Sequence, residues 1–146
     1  LKRLNAIKLY DTTLRDGSQA EDIAFSVEDK IRIAQKLDEL GIHYIEGGWP
    51  GSNPKDLQFF QEVKSVSLAH AKMTAFGSTC RPGTAPPEDP NIQALIKAGT
   101  KVVTIVGKSW DIHPLEALGI TLDQNLEIIH SSIHFLKDHV EEAIFD

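Results

Sequence analysis

The chain has 146 residues, 41% of them apolar and 25% charged, with a formal net charge of −6; that suffices for one domain with a genuine core and an ordinary globular composition. The acidic balance argues against a nucleic-acid partner, which needs clustered Lys and Arg for phosphate contacts, and leaves room only for a local basic pocket. Cys80 is the single cysteine, so no intrachain disulfide forms; no apolar run approaches the roughly 20 residues of a membrane span, and Leu1-Lys2-Arg3-Leu4-Asn5 lacks the apolar stretch of a secretory signal, so the expectation is a cytoplasmic protein without a membrane partner.

In chain order, the first β-rich run covers residues 7–10 and ends in a segment dense in charge and hydroxyls. Ser26-Val27-Glu28-Asp29 then starts a helix, with a serine cap and acidic residues in the first turn. Its apolar stripe is Val27, Ile31, Ala34 and Leu37, and Gly41 after Leu40 ends it in a left-handed cap. A second run covers residues 44–46, and Pro54 opens a helix carrying Leu57, Phe60 and Val63 on one side. A third run covers 72–76; Asp89-Pro90 starts the next helix, with Ile92, Leu95 and Ile96, and Gly99 closes it. A fourth run covers 102–106, and Thr121-Leu122-Asp123-Gln124 reads as a capping box. Leu122, Leu126, Ile129, Ile133 and Leu136 continue at helical period, and residues 143–145 begin a fifth strand.

Most of these runs are nearly continuous in apolar residues, as in strands buried on both faces of a parallel sheet. The alternation of strands and helices indicates an α/β fold. Periodicity satisfies a barrel and an open doubly wound sheet equally, but no glycine-rich dinucleotide turn follows the first strand, which argues against the latter. A fold rarely stops in mid-strand, so the chain is expected to be the first part of a longer one.

In parallel α/β folds the working loops lie at the carboxyl ends of the strands. There, after the first strand, stands Asp11-Thr12-Thr13-Leu14-Arg15-Asp16-Gly17-Ser18-Gln19. A carboxylate beside a guanidinium pairs a potential hard-metal ligand with a cation suited to an oxyanion. Composition alone leaves two readings open: a reaction centre, or an ion-paired surface turn.

The run Asp-Thr-Thr-Leu-Arg-Asp-Gly, followed two residues later by Gln, resembles the first-strand motif of the isopropylmalate, homocitrate and citramalate synthase family. These are metal-dependent enzymes built on a (β/α)₈ TIM barrel. Glu46-Gly47-Gly48-Trp49-Pro50 after the second strand is similar to that family's Ile-Glu-X-Gly-Phe/Trp-Pro segment. The wording of residues 44–54, 75–79 and 107–111 looks most like the citramalate branch. Ser18 stands where members often carry Glu, a subgroup difference.

The resemblance implies that residues 1–146 are the N-terminal half of a TIM-barrel catalytic domain: the first four βα units and the start of strand five. It implies a Claisen-type condensation of acetyl-CoA with a 2-oxo acid, pyruvate in the citramalate branch. Arg15 would stabilise the enolate or alkoxide, Glu46 would orient Arg15 or merely neutralise it, and Asp16 would bind a divalent metal (Mg²⁺, Mn²⁺ or Zn²⁺). Gln19 and Lys108 would lie near the substrate, and Gly47 and Gly48 leave room for a ligand or a bend. The family's site also uses a His-X-His pair. The six histidines here, His43, His70, His113, His130, His134 and His139, contain none. The chain by itself is therefore expected to be inactive, and its open strand edges to drive homo-oligomerisation.

Other constellations fare worse. Gly107-Lys108-Ser109 lacks the glycine loop of a phosphate-binding motif, having Val102 where that motif needs Gly. His130 and His134 sit one helical turn apart without a following Glu, and read as solvated or packed. Cys80 has no evident activating base, and His43 and His70 precede strands, away from the working face. The competing functions are a 2-isopropylmalate or homocitrate synthase, an HMG-CoA-lyase-like carbon–carbon lyase or carboxylase-type enzyme on the same barrel, and a non-catalytic half-barrel scaffold or binding module.

Overall fold

The parallel sheet grows strand by strand in chain order. A computed structural model describes residues 7–146; residues 1–6, which carry the stretch read for a targeting signal, lie outside the described residues. The strands are β1 (Tyr10–Asp11), β2 (Tyr44–Gly48), β3 (Lys72–Ser78), β4 (Val102–Val106) and β5 (Glu142–Phe145), and their spatial order is β1-β2-β3-β4-β5. Every pairing is parallel. Sequential order is what separates a barrel from a doubly wound sheet, whose strand order reverses at a switch point. The sheet is thus part of a (β/α) barrel, curled rather than open.

The helices α1 (Val27–Glu39), α2 (Pro54–Glu62), α3 (Pro90–Ala98) and α4 (Leu122–Lys137) each touch the next and form one layer on the outer face. That follows from right-handed crossovers between adjacent parallel strands. Ser26 and Thr121 close capping boxes with Asp29 and Gln124. Asn53 and Asp89 cap the two helices that begin with proline. Gly41 and Gly99 follow their helices in the left-handed region, at φ 87° and 70°.

The strands alternate more sharply than their apolar composition suggested. Ile45, Ala75, Val103 and Ile105 point outward into a core shared with Ala34, Phe59, Phe60, Ile92, Leu95 and Leu136. The intervening residues, Tyr44, Glu46, Thr74 and Thr104, are also buried but hydrogen-bond to one another's strands on the inner face. Helices cover one face; curling of the sheet covers the other.

Several expected boundaries shift. Residues 7–9 are not strand: β1 starts only at Tyr10, and Ile7 is 85% exposed. The second and third strands run two residues further than their apolar cores. The stripe on α4 is rotated: Leu122 and Leu126 are exposed, while Asn125, Ser132 and Leu136 are buried. Polar residues take the inward positions because they have fixed partners. Asn125 Nδ2 donates to the Lys108 carbonyl, and Ser132 Oγ accepts from the Cys80 amide and donates to the Ile128 carbonyl. A π-helical turn, His113–Leu118, separates β4 from α4 and was not expected.

Candidate active site

The loop after β1 is a built structure. The Thr12 carbonyl accepts from the amides of Arg15, Asp16 and Gly17. The Asp11 carboxylate accepts from the Thr13 amide and hydroxyl, so Asp11 is consumed by the turn. Leu14 is fully buried and pins the loop to the core. Arg15, next in sequence, is thereby carried across the carboxyl end of the sheet.

Arg15 is held on three sides. Its Nε donates to Glu46 Oε1 at 2.5 Å, its guanidinium carbon lies 4.0 Å from the centre of the Phe76 ring, and Nη1 is 3.2 Å from Asp16 Oδ1. A guanidinium stacked on a ring and bidentate-capable at its edge is a rigid, permanent cation. Among the described residues its side chain makes no other hydrogen bond, which leaves Nη2 without a protein partner. Glu46 is 1% exposed. A carboxylate so buried is tolerated because both oxygens are occupied: Oε2 accepts from the Tyr10 hydroxyl at 2.5 Å. Burial first, and then the hydrogen bond to Glu46, push the Tyr10 phenol well above its ordinary value, so it stays a neutral donor.

The second loop is fixed by another ion pair that the sequence did not single out. Lys30 of α1 and Asp56 of α2 meet at 2.5 Å, their side chains 7% and 9% exposed. Lys30 Nζ also donates to the Gly47 carbonyl, and Asp56 accepts from the Trp49 amide. Trp49 packs edge-on against Phe76, centroids 5.3 Å apart, and donates its indole N–H to Asn91. The two glycines make the bend and give no room for a ligand. A Cβ on Gly47 would lie 2.5 Å from Phe59, and one on Gly48 (φ 152°) would lie 2.4 Å from the Asp56 carboxyl carbon. A register shift in the β2–β3 pairing falls between Glu46 and Gly48.

The structure gathers Arg15, Glu46 and Asp16, and leaves the other expected residues further out. Lys108 is exposed and lines a cavity of about 250 Å³ with Trp49, Ser78 and Arg81. Trp49 of that lining packs on Phe76, which in turn stacks under Arg15. Gln19 is exposed on the short 3₁₀ turn Gly17–Gln19, and its side chain makes no hydrogen bond among the described residues. Tyr10, Thr74, Thr104 and Phe76 were missed. Their signal was polar and aromatic residues at every second position of otherwise apolar strands. Asp16 is 63% exposed at its side chain and has one oxygen near Arg15. Among the described residues no three His, Cys, Asp or Glu side chains gather to hold a metal. One hard carboxylate donor is present; a complete metal site is not made by these residues. His130 and His134 are exposed on α4, and Cys80 is buried with its Sγ against Ser132.

A family model described as HMGL-like matches residues 6–145. The chain belongs to the HMGL-like family. It is 59% identical over 140 residues to the (R)-citramalate synthase of Aquifex aeolicus, covering 96% of this chain and 26% of that protein. It is 59% identical over 143 residues to the (R)-citramalate synthase of Geobacter sulfurreducens, covering 98% and 27%. Proteins named homocitrate synthase and 2-isopropylmalate synthase align at only 31 to 34% identity. The chain spans about a quarter of the length of these curated relatives. Its fold matches the crystal structure of hydroxymethylglutaryl-CoA lyase from Pseudomonas aeruginosa with a TM-score of 0.69, covering 95% of this chain and 45% of that one at 19% identity. No described helix is long and apolar enough to cross a membrane.

Proposed function

We propose that this HMGL-like chain is the N-terminal half of the catalytic barrel of an acyltransferase that condenses acetyl-CoA with pyruvate to give citramalate. The observation that carries the reading is Arg15: a cation locked between Glu46 and Phe76 with one edge unpaired among the described residues. Identity to citramalate synthases well above that to the neighbouring synthases supports pyruvate as the 2-oxo acid.

In the proposed reaction the acetyl methyl group loses a proton, and the resulting carbanion equivalent bonds to the keto carbon of pyruvate. The keto oxygen becomes an alkoxide and is protonated. Water then cleaves the thioester, releasing CoA and a carboxylate. The contribution of this chain is electrostatic. Charge builds on oxygen during the attack, and Arg15 already points there, held so that little reorganisation is needed; preorganised donors of this kind supply the largest catalytic term in many sites. Glu46 aims Arg15, Leu14 anchors its loop, and Trp49 with Phe76 walls the site from water. Asp16 would be one ligand of a divalent metal, whose chemistry is to polarise the keto carbonyl. The remaining ligands would come from the part of the relatives that this chain does not cover. Gln19 and Lys108 stand at the rim, where they would meet the outer parts of the substrates.

The test is CoA release by the intact enzyme with acetyl-CoA and, in turn, pyruvate, 2-oxoisovalerate and 2-oxoglutarate. Turnover with pyruvate at least tenfold above the others is expected. Preference for a larger keto acid would overturn the substrate, and no CoA release with any of them would overturn the reaction class. The 146 residues alone should release none, and should run as dimers or larger in light scattering because β1 and β5 present open edges; a monodisperse monomer would contradict that.

A further inference from the structure

The inner face of the sheet carries a hydroxyl chain that ends on Glu46. Tyr10 Oη lies 2.5 Å from Glu46 Oε2 and 2.7 Å from Thr104 Oγ1, and Thr104 Oγ1 lies 3.2 Å from Thr74 Oγ1. A phenol has one proton. The buried carboxylate can only accept, so that proton goes to Glu46, and Thr104 must donate to Tyr10. Thr104 has then spent its own proton, so Thr74 donates to Thr104. Hydrogen-bond polarity is therefore set along one line, Thr74 to Thr104 to Tyr10 to Glu46, and it meets Arg15 coming from the other side. The line draws one residue each from β4, β3, β2 and β1. Thr74 and Thr104 are 0% and 3% exposed, so water does not compete.

We propose that Tyr10 is a positioning residue: with Thr104 behind it, it fixes the second oxygen of Glu46 so that the first holds Arg15 in its working orientation. Two contacts on one carboxylate determine its rotation as well as its place. With only one, Glu46 turns about its last bond and Arg15 follows. The alternative, that these hydroxyls merely fill the barrel interior, predicts an effect on stability and none on the orientation of Arg15. The inference rests on the reading of Arg15 as the group that meets the developing oxyanion.

The experiment uses the intact enzyme with Tyr10→Phe, Thr104→Val and the double variant. Tyr10→Phe should lower kcat about tenfold with KM for pyruvate within about twofold, because positioning is felt most in the transition state. Thr104→Val should lower kcat about threefold, and by nothing further in the Tyr10→Phe background, because the two act in series. A second readout is independent of turnover: in protein labelled with ¹⁵N at arginine Nε, the Arg15 Nε–H resonance should shift and exchange faster with water in Tyr10→Phe. An unmoved Arg15 resonance, or additive losses in the double variant, would overturn the proposal. If the resonance moves while the wild type shows no condensation, the positioning role stands and the function assigned above falls. Should Tyr10→Phe fail to fold, Thr104→Val carries both readouts by itself.

Discussion

Replacing Glu46 by leucine tests whether its pairing with Arg15 is structural, catalytic or both. The substitution removes a carboxylate that is 1% exposed and leaves Arg15, 17% exposed at its side chain, with Asp16 as its only ionic neighbour among the described residues. Breaking a buried pair from one side costs about 3–5 kcal/mol, and the partial exposure of Arg15 places this case near about 3. In the intact enzyme, a larger unit than these 146 residues on the proposed reading, that corresponds to a fall in Tm of no more than roughly 6 °C. The double variant Arg15→Met/Glu46→Leu removes both charges together. The three hydroxyls keep their two mutual hydrogen bonds, with Thr74 donating to Thr104 and Thr104 to Tyr10, and the one proton that loses its acceptor is that of Tyr10, which is only partly buried. Stability should return to within about 1 kcal/mol of the wild type, as for other buried pairs exchanged for apolar side chains. Activity should not return: without Arg15, kcat should stay about 10²–10³ below wild type, the loss typical of a removed oxyanion donor. Thermal unfolding and CoA release on the same preparations of the intact enzyme give both numbers. A double variant with near wild-type kcat would refute the catalytic role of Arg15. A single variant as stable as wild type would refute the buried pair as a stabilising contact.

Three further outcomes follow from the geometry. Lys30→Met strands the buried Asp56 and should cost about 3 kcal/mol, whereas Lys36→Met, which breaks the exposed pair with Glu39, should cost under about 0.5 kcal/mol; denaturant midpoints compare them. Gly48→Ala drives a Cβ into the Asp56 carboxylate at a positive φ and should destabilise by several-fold more than Gly119→Ala, which meets open space and adds only backbone strain, as thermal melts of the two would show. Asp38 accepts the amides of Ala69, His70 and Ala71; burial pushes its carboxyl up, but the three hydrogen bonds outweigh it and hold it below the ordinary value. Its contribution is therefore present above about pH 3.9 and lost as pH falls through the lower folded value. Asp38→Asn should weaken the fold by about 1–3 kcal/mol near neutrality, and the gap to wild type should narrow in acid; a gap constant from pH 6 to pH 2 in urea titrations would contradict this.

The helix ends were legible in the sequence, whereas the start of β1 and the π-helical turn His113–Leu118 were not. Caps, prolines and glycines act within a few residues of themselves, so Ser26, Pro54, Asp89, Gly99 and Thr121 could be placed before any tertiary contact was known. The run from Asp11 to Gly17 and the pairing of Arg15 with Glu46 were legible for another reason: they resemble a long contiguous family motif. Everything that depends on which strand lies beside which was not. Barrel and open sheet share one strand-helix rhythm, and only the order β1-β2-β3-β4-β5 separates them. The ion pair of Lys30 with Asp56, and the line from Thr74 through Thr104 and Tyr10 to Glu46, join residues 26 to 94 positions apart. No local period marks such pairs. What the sequence determined by itself was the elements and the identity of the cation; what the tertiary structure decided was its aim. An arginine is charged anywhere, but its direction comes from the carboxylate, ring and hydroxyls that neighbouring strands bring to it.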